Sequence, residues 1–219
     1  MRIHFLNPNS SQSTTDAMIT SLDQIRDRIP AELVCATLEE GPPGIERQAH
    51  VDALPFPVLE RLRATPAEAH VISCFSDPGL HLCREELEVP VIGIAEAAYL
   101  EAVQLGRRFG VVSIGRASFG RHLRQIRQLG VESFLAADRA LEIPVVQMNE
   151  AERVIARIVE VGTELRDRDG AGSLILGCAS MGVYRPEIEA RLGLPVIDPV
   201  QAAAIRAAAL LALRYPRLS

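Results

Sequence analysis

The sequence predicts an α/β fold of two pseudo-symmetric lobes, each a parallel sheet flanked by helices, with a candidate active site in the cleft between them. Three observations support this prediction. Strand-like apolar runs alternate with helical patterns along the 219 residues, which is typical of parallel sheets. The strand-like runs lack a regularly polar face, as expected when helices cover both sides. Several landmarks of the first half recur in the second.

The elements follow from hydrophobic periodicity and from the turn-forming residues between them. The predicted strands are residues 2–6, 33–38, 71–74, 90–94, 109–114, 143–147, 174–178 and 195–197. The predicted helices are residues 14–29, 49–64, 78–87, 95–105, 118–129, 150–167, 187–192 and 202–213. Pro55 and Pro57 disfavour a helix in the first half of the 49–64 segment.

Repeated landmarks indicate an internal duplication. Each landmark recurs after 104 to 106 residues: Phe5-Leu6-Asn7 and Val111-Val112-Ser113, Cys74 and Cys178, Pro90-Val91-Ile92 and Pro195-Val196-Ile197, Ala97-Ala98 and Ala202-Ala203. Any two α/β arrays give some such matches, but a strand that ends on cysteine in both halves is harder to obtain by chance. We therefore expect a first lobe over residues 1–105, against which the C-terminal helix can pack, and a second over 106–219.

Composition excludes several classes of function. The net charge of −5 gives no basic footprint for nucleic acid. All 23 basic residues other than histidine are arginines, so no lysine is present to hold pyridoxal phosphate as a Schiff base. No GxGxxG loop follows the first strand and the histidines show no metal spacing, so we expect neither cofactor nor metal. The short apolar N-terminus and the lack of a membrane-length apolar run predict a cytoplasmic protein with a small-molecule substrate.

Cys74 and Cys178 each end a predicted strand, where doubly wound sheets bind their ligands. Inverting a carbon stereocentre needs one acid/base group on each face of that carbon, and two thiols in one cleft would meet this need. We expect nearby helix N-termini to lower the thiol pKa. The candidate N–H donors to a developing enolate are those of Phe75, Ser76, Asp77, Ala179, Ser180 and Met181.

Each cysteine alone has a plainer interpretation, because a free cysteine is most often a small buried hydrophobe. Cys35 and Cys83, inside a predicted strand and a predicted helix, keep that interpretation. Asn7 and Asn9 end the first strand, where they would either stabilise the turn or face the ligand. Ser113 has the matching place in the second lobe. The turn-rich loop of residues 40–44 could cover the site, and the loop around Ile45 would position the ligand.

The motifs together resemble the aspartate/glutamate/hydantoin racemase superfamily, and the hydantoin and allantoin racemases most closely. The resemblance covers nearly the whole chain and is carried by residues 7–11 (NPNSS), 74–80 (CFSDPGL), 93–98 (GIAEAA), 177–179 (GCA) and 195–199 (PVIDP). It implies two pseudo-symmetric lobes, no cofactor, Cys74 and Cys178 as a two-base pair, and a homo-oligomer.

Related activities differ around the cysteines. Amino-acid racemases of this group commonly have threonine after the second cysteine, whereas Ala179 follows here and favours a neutral cyclic substrate. Arylmalonate decarboxylases lack the first cysteine, which Cys74 supplies here. A carboxylate isomerase, such as a maleate isomerase, and a non-catalytic binding domain remain alternatives. The hydantoin branch often has glycine where this chain has Ser76 and Ser180, which leaves the preferred side chain open.

Overall fold

The computed structural model describes residues 1–148 and 150–215 and contains two parallel four-stranded sheets. The first sheet has the order β2-β1-β3-β4 and the second the order β6-β5-β7-β8. The two orders are the same when the strands of the second sheet are renumbered from its first strand. The predicted fold class and the repeat are therefore confirmed in the arrangement of the strands.

The strands are short and mostly buried. They are β1 (Arg2–Asn7), β2 (Glu32–Thr37), β3 (Ala69–Ile72), β4 (Val91–Gly93), β5 (Phe109–Ser113), β6 (Leu135–Ala140), β7 (Ser173–Gly177) and β8 (Val196–Ile197). The central strands β1, β3, β5 and β7 pair on both sides. Their apolar side chains are buried on both faces, which explains why they carry no polar stripe.

Nine α-helices connect or follow these strands within the described residues. They are α1 (Gln12–Asp23), α2 (Gln48–Asp52), α3 (Pro55–Ala64), α4 (Leu80–Glu86), α5 (Ile94–Gln104), α6 (Phe119–Gln128), α7 (Ala151–Asp167), α8 (Arg185–Leu192) and α9 (Pro199–Leu213). The predicted 49–64 helix is two helices, because Pro55 lacks an N–H and begins α3 at its first turn.

One predicted strand is wrong. Residues 143–147 do not form a strand; Val145–Gln147 is a single 3-10 turn after Pro144. One edge strand of the second sheet is β6, which contains Asp138 and Arg139 and pairs with β5. All residues of β6 are only partly buried, so its sequence needs no continuous apolar run and gave no signal of that kind.

One hydrophobic cluster is shared by the two sheets. Helix α5 packs against α9, and α9 also contacts β1, β3 and β4 of the first sheet. The largest cluster joins Phe5 and Tyr99 of the first half with Phe109, Ile175 and Ala203 of the second. The division of the chain into two domains at residues 105 and 106 stays a prediction. The shared core instead fixes the carboxyl ends of the two sheets relative to each other.

Candidate active site

The two cysteines occupy equivalent points beyond the ends of β3 and β7. Cys74 lies two residues after β3, and Cys178 directly follows β7. Each begins a tight turn, because the Asp77 N–H donates to the Cys74 carbonyl oxygen at 2.9 Å and the Met181 N–H donates to that of Cys178 at 3.2 Å. The sequence pattern of a strand followed by a thiol therefore places both sulfurs at the carboxyl edges of their sheets.

One cavity is lined by both cysteines and by residues from both halves of the chain. Its lining is Asn9, Thr14, Ile45, Ser73, Cys74, Phe75, Ser76, Ile114, Ser118, Arg121, His122, Val145, Gly177, Cys178 and Ala179. The cavity has a volume of only about 30 Å³, about two to three times what one water molecule needs on the same measure. A ring-sized ligand therefore needs the loops over the cavity to move.

The loop that carries Ile45 closes the cavity across the two halves. Its Glu46 carboxylate accepts the Val145 N–H at 3.0 Å, and its Glu46 carbonyl oxygen accepts a hydrogen bond from Arg121 at 3.1 Å. Gly44 packs closely against Val145, since a Cβ added there would lie 3.1 Å from the Val145 Cβ. These contacts hold a lid from the first half against the second half.

Both thiols are harder to ionise than a free cysteine, which corrects the prediction of lowered pKa values. Burial, and then the negative charges of Asp77 and Cys178, raise the pKa of Cys74 to about 12. Burial also raises the pKa of Cys178. The helix and loop N–H groups act in the predicted direction but are outweighed by desolvation. The charge of Cys178 is among the causes that raise the pKa of Cys74, and both side chains line the same cavity.

The hydrogen bonds to the two sulfurs are unequal. The Cys178 sulfur lies 3.3 Å from the Ser180 hydroxyl, and the N–H groups of Ala179 and Ser180 further lower the pKa of Cys178. The Ser76 N–H donates to the Cys74 sulfur, and the positive charge of Arg121 also lowers the pKa of Cys74. Cys178 therefore has more donors to stabilise a thiolate than Cys74 has.

Most of the predicted binding residues line the cavity, and three lie beside it. Asn9, Ile45, Phe75, Ser76 and Ala179 are in the lining. Three others are outside it and hold neighbours in place: Asn7, Ser113 and Ser180. The Asn7 amide donates to Asn9 Oδ1 at 3.1 Å and to Thr15 Oγ1 at 3.0 Å, while Ser113 hydrogen-bonds the Asp138 carboxylate.

Two of the predicted N–H donors are already used. The Asp77 and Met181 N–H groups donate to the cysteine carbonyls within their own turns. The Asp77 carboxylate accepts the N–H groups of Ala95 at 3.0 Å and of Glu96 at 2.9 Å, so it caps α5. Burial raises the pKa of Asp77 to about 7 despite these bonds. Because their N–H groups are already used, Asp77 and Met181 are removed from the set of N–H donors that could reach a substrate.

Sequence reasoning missed two prominent lining residues, Arg121 and His122 of α6. Arg121 donates to the carbonyl oxygens of Ala117 at 2.9 Å and Glu46 at 3.1 Å, so its guanidinium group is largely occupied by the protein. His122 lies 2.7 Å from the Asp138 carboxylate and packs edge-on against Phe75. Neither residue could be assigned to the site from the sequence, because His122 shows no metal spacing and nothing local indicates that α6 faces the cysteines.

The remaining cysteines have surroundings that differ from the cavity. Cys83 is fully buried in the cluster with Leu6 and Leu80, and burial raises its pKa to about 11. Burial likewise raises the pKa of Cys35 to about 12. Neither lines the cavity.

Within the described residues, no group of three or more His, Cys, Asp and Glu side chains could hold a metal ion. In the same part of the chain, no helix combines the length and the apolar character needed to cross a bilayer.

Comparison with known proteins gives a family for this arrangement. The Asp/Glu/Hydantoin racemase family model matches residues 3–207. The chain belongs to the Asp/Glu/Hydantoin racemase family. The hydantoin racemase of Paenarthrobacter aurescens is 33% identical over 98% of this chain and 93% of its own. That of Rhizobium meliloti is 34% identical over 98% and 90%.

Solved structures agree with this family. The allantoin racemase from Klebsiella pneumoniae superposes with a TM-score of 0.94 at 29% identity, over all of this chain and 90% of that one. The resemblance inferred from the cysteine motifs is thus confirmed. As a member of the racemase family with near full-length relatives, this protein is an isomerase of the racemase type.

Proposed function

We propose that this racemase inverts C5 of a 5-substituted hydantoin, allantoin being one such compound, by a two-base proton transfer between Cys74 and Cys178. The observation that carries the proposal is that two thiols at equivalent positions line the same small cavity. The hydantoin and allantoin racemases among its relatives support the choice of ring. No cofactor enters the scheme.

The reaction is balanced between the two sulfurs. One thiolate takes the C5 proton, and the C5–H electron pair moves toward the adjacent ring carbonyl to give an enolate. The other thiol then donates its proton to the opposite face of C5. The two cysteines end with their protonation states exchanged, and proton exchange with water or a turnover in the reverse direction resets them.

One backbone N–H group after each cysteine can stabilise the enolate oxygen. Phe75 and Ala179 follow the two cysteines and line the cavity. The Phe75 N–H is not used by the Cys74 turn, which Asp77 closes, whereas the Ala179 N–H also donates to the Cys178 sulfur and would be shared between that thiolate and the enolate. An oxyanion that develops next to C5 can be stabilised by such N–H groups most strongly where water is excluded.

The charge of the site favours a neutral ring over an amino acid or a dicarboxylate. Among the described residues, Arg121 is the only arginine in the lining. Its side chain donates to Ala117, Glu46 and, at 3.4 Å, the Ser76 hydroxyl. A free carboxylate would have to compete with these acceptors, whereas a hydantoin carries polar groups without a full charge.

Solvent deuterium exchange tests the proposal. The enzyme in D₂O is incubated with single enantiomers of several hydantoins, allantoin, aspartate and glutamate, and with maleate; NMR follows C–H loss or isomerisation and polarimetry follows inversion. We expect deuterium at C5 and loss of optical rotation with a hydantoin. Turnover of the acidic substrates without turnover of any hydantoin would contradict the choice of ring. Cys35→Ala, which alters a thiol outside the cavity, serves as the control with unchanged activity.

The homo-oligomeric state and cytoplasmic location stay predictions.

A further inference from the structure

Ser73 connects the last residue of β3 to Cys74 and is held rigidly. Its N–H donates to the Leu6 carbonyl oxygen at 2.8 Å. The residue is 1% exposed and lines the cavity with the two cysteines. Its backbone position next to the cavity is therefore set by the sheet.

The hydroxyl of Ser73 is buried without a hydrogen-bond partner among the described residues. The hydroxyl of Ser118, which lines the same cavity, is satisfied, because it donates to the Gly115 carbonyl oxygen at 2.7 Å. An unsatisfied buried hydroxyl destabilises a protein, so buried polar groups nearly always have a partner. The free hydrogen-bonding capacity of Ser73 thus lies at the wall of the substrate cavity.

The second lobe has no such hydroxyl at the equivalent point. Gly177 precedes Cys178 as Ser73 precedes Cys74, and Gly177 also lines the cavity. A Cβ at Gly177 would lie 2.8 Å from the Val112 carbonyl oxygen, closer than side chains normally approach. Only the Cys74 side can therefore present a side-chain hydroxyl directly before its cysteine.

We propose that Ser73 binds the substrate through a hydrogen bond from its hydroxyl to a polar atom of the ring on the Cys74 side. The inference rests on the proposed function and extends it by naming a contact that makes the two sides of the cavity unequal. A serine hydroxyl can both donate and accept, so a ring carbonyl oxygen or a ring N–H would satisfy it.

The test separates a ligand-binding hydroxyl from a structural one. Ser73→Ala removes a group that is unsatisfied in the free enzyme, so the melting temperature should rise, on the order of 2 °C. The same change should lower kcat/KM for the hydantoin by about three- to tenfold. A hydroxyl with a structural role would give a fall in melting temperature. Ser73→Gly should reproduce the kinetic loss if the alanine variant fails to fold.

Ser173→Ala is the matched control. Ser173 is also fully buried and its hydroxyl also has no partner among the described residues, but it lies on β7 outside the cavity lining. We expect its melting temperature to rise in the same way while kcat/KM stays unchanged. If wild type racemises the hydantoin and both Ser73 variants keep kcat/KM within about twofold, Ser73 binds no substrate and the proposed function stands. If wild type neither binds nor racemises any hydantoin, the proposed function falls and the ring contact with it.

Discussion

The two lobes present their cysteines at equivalent points of their two sheets, yet they surround them differently. Cys74 is followed by a carboxylate three residues later, Asp77, whereas Cys178 is followed by small or apolar residues up to Gly182. The Cys178 sulfur has the Ser180 hydroxyl at 3.3 Å, whereas the Cys74 sulfur is hydrogen-bonded by the backbone N–H of Ser76. The common fold positions two sulfurs, and the local differences set how readily each one ionises.

A reciprocal pair of carboxylates shows how closely the lobes correspond. Asp77 packs where a Cβ at Gly93 would be, and Asp198 packs where a Cβ at Gly182 would be. Gly182 lies 105 residues after Asp77, and Asp198 lies 105 residues after Gly93. Each lobe thus uses one carboxylate to cap the helix after its last strand. The first lobe supplies it from the cysteine loop, and the second supplies it from the helix N-terminus.

The largest expected effect concerns the thiols themselves. Cys74→Ala and Cys178→Ala should each lower the racemisation rate by about a thousandfold or more, because each removes a group that transfers a proton directly. Polarimetry with both enantiomers measures the loss, and circular dichroism checks that the variants are folded. A variant that racemises at the wild-type rate would show that the two lobes do not contribute equivalent groups.

Exchanging the carboxylate and the glycine of the first lobe tests the reciprocal pair. Gly93→Asp should lower the free energy of unfolding by about 3 kcal/mol, since it forces a side chain and a second charge against the buried Asp77. Adding Asp77→Gly should recover about 1–3 kcal/mol, because the pair then copies Gly182 and Asp198. Asp77 has a φ of +43°, a conformation glycine adopts freely. Urea unfolding of both single variants and the double variant gives the coupling, and additive effects would contradict the correspondence.

The pH dependence should reveal the difference between the two sulfurs. The scheme needs one thiolate and one thiol, so kcat/KM should be bell-shaped in pH. Because burial raises the pKa of both thiols, the rising limb should lie above the free-thiol value of about 8.5. Ser180→Ala removes a donor that lowers the pKa of Cys178, so that limb should move up by about 0.5–1 pH unit.

Ser76→Ala is the matched control for this shift. Ser76 acts on the Cys74 pKa through its backbone N–H, which the alanine variant retains. The rising limb should therefore stay within about 0.2 pH unit of wild type, a small fraction of what losing a hydrogen bond would cause. An equal shift in both serine variants would mean that Cys178 has no ionisation advantage over Cys74.

The smallest expected effect belongs to the lid between the lobes. Glu46→Ala removes the carboxylate that accepts the Val145 N–H, and kcat/KM should fall about three- to tenfold as closure loses one hydrogen bond. Glu40→Ala is the matched control. Glu40 lies just before the same loop, and its carboxylate pairs with Arg61 at the surface, where ion pairs contribute little to stability. Its kcat/KM should not change. Equal effects of both variants would argue against a specific lid contact.

The sequence predicted those features that repeat or follow from hydrophobic pattern. The two strands that precede Cys74 and Cys178 and the parallel sheets were accessible in this way, and the family was accessible from the resemblance of its motifs. The edge strand β6 was missed because half-exposed strands lack a long apolar run, and residues 143–147 were predicted as a strand although Pro144 leads into a 3-10 turn.

Features of the site that depend on tertiary packing were not accessible. Arg121 and His122 lie on a helix more than 40 residues after Cys74, and only the closure of the two lobes brings them to the cavity. The thiol pKa was predicted in the wrong direction because the sequence shows nearby N–H groups but not the extent of burial. Ser73 adjoins the cysteine in the sequence, yet only its missing partner distinguishes it from an ordinary buried serine.

The most direct measurement of the central claim is C5 deuterium exchange in D₂O by the two single-cysteine variants, each given one pure enantiomer at a time. The remaining thiolate can still remove a proton from its own face. We expect Cys178→Ala and Cys74→Ala each to exchange one enantiomer without inverting it, and to act on opposite enantiomers. Exchange of the same enantiomer by both variants would contradict the placement of the two sulfurs on opposite faces of the reacting carbon.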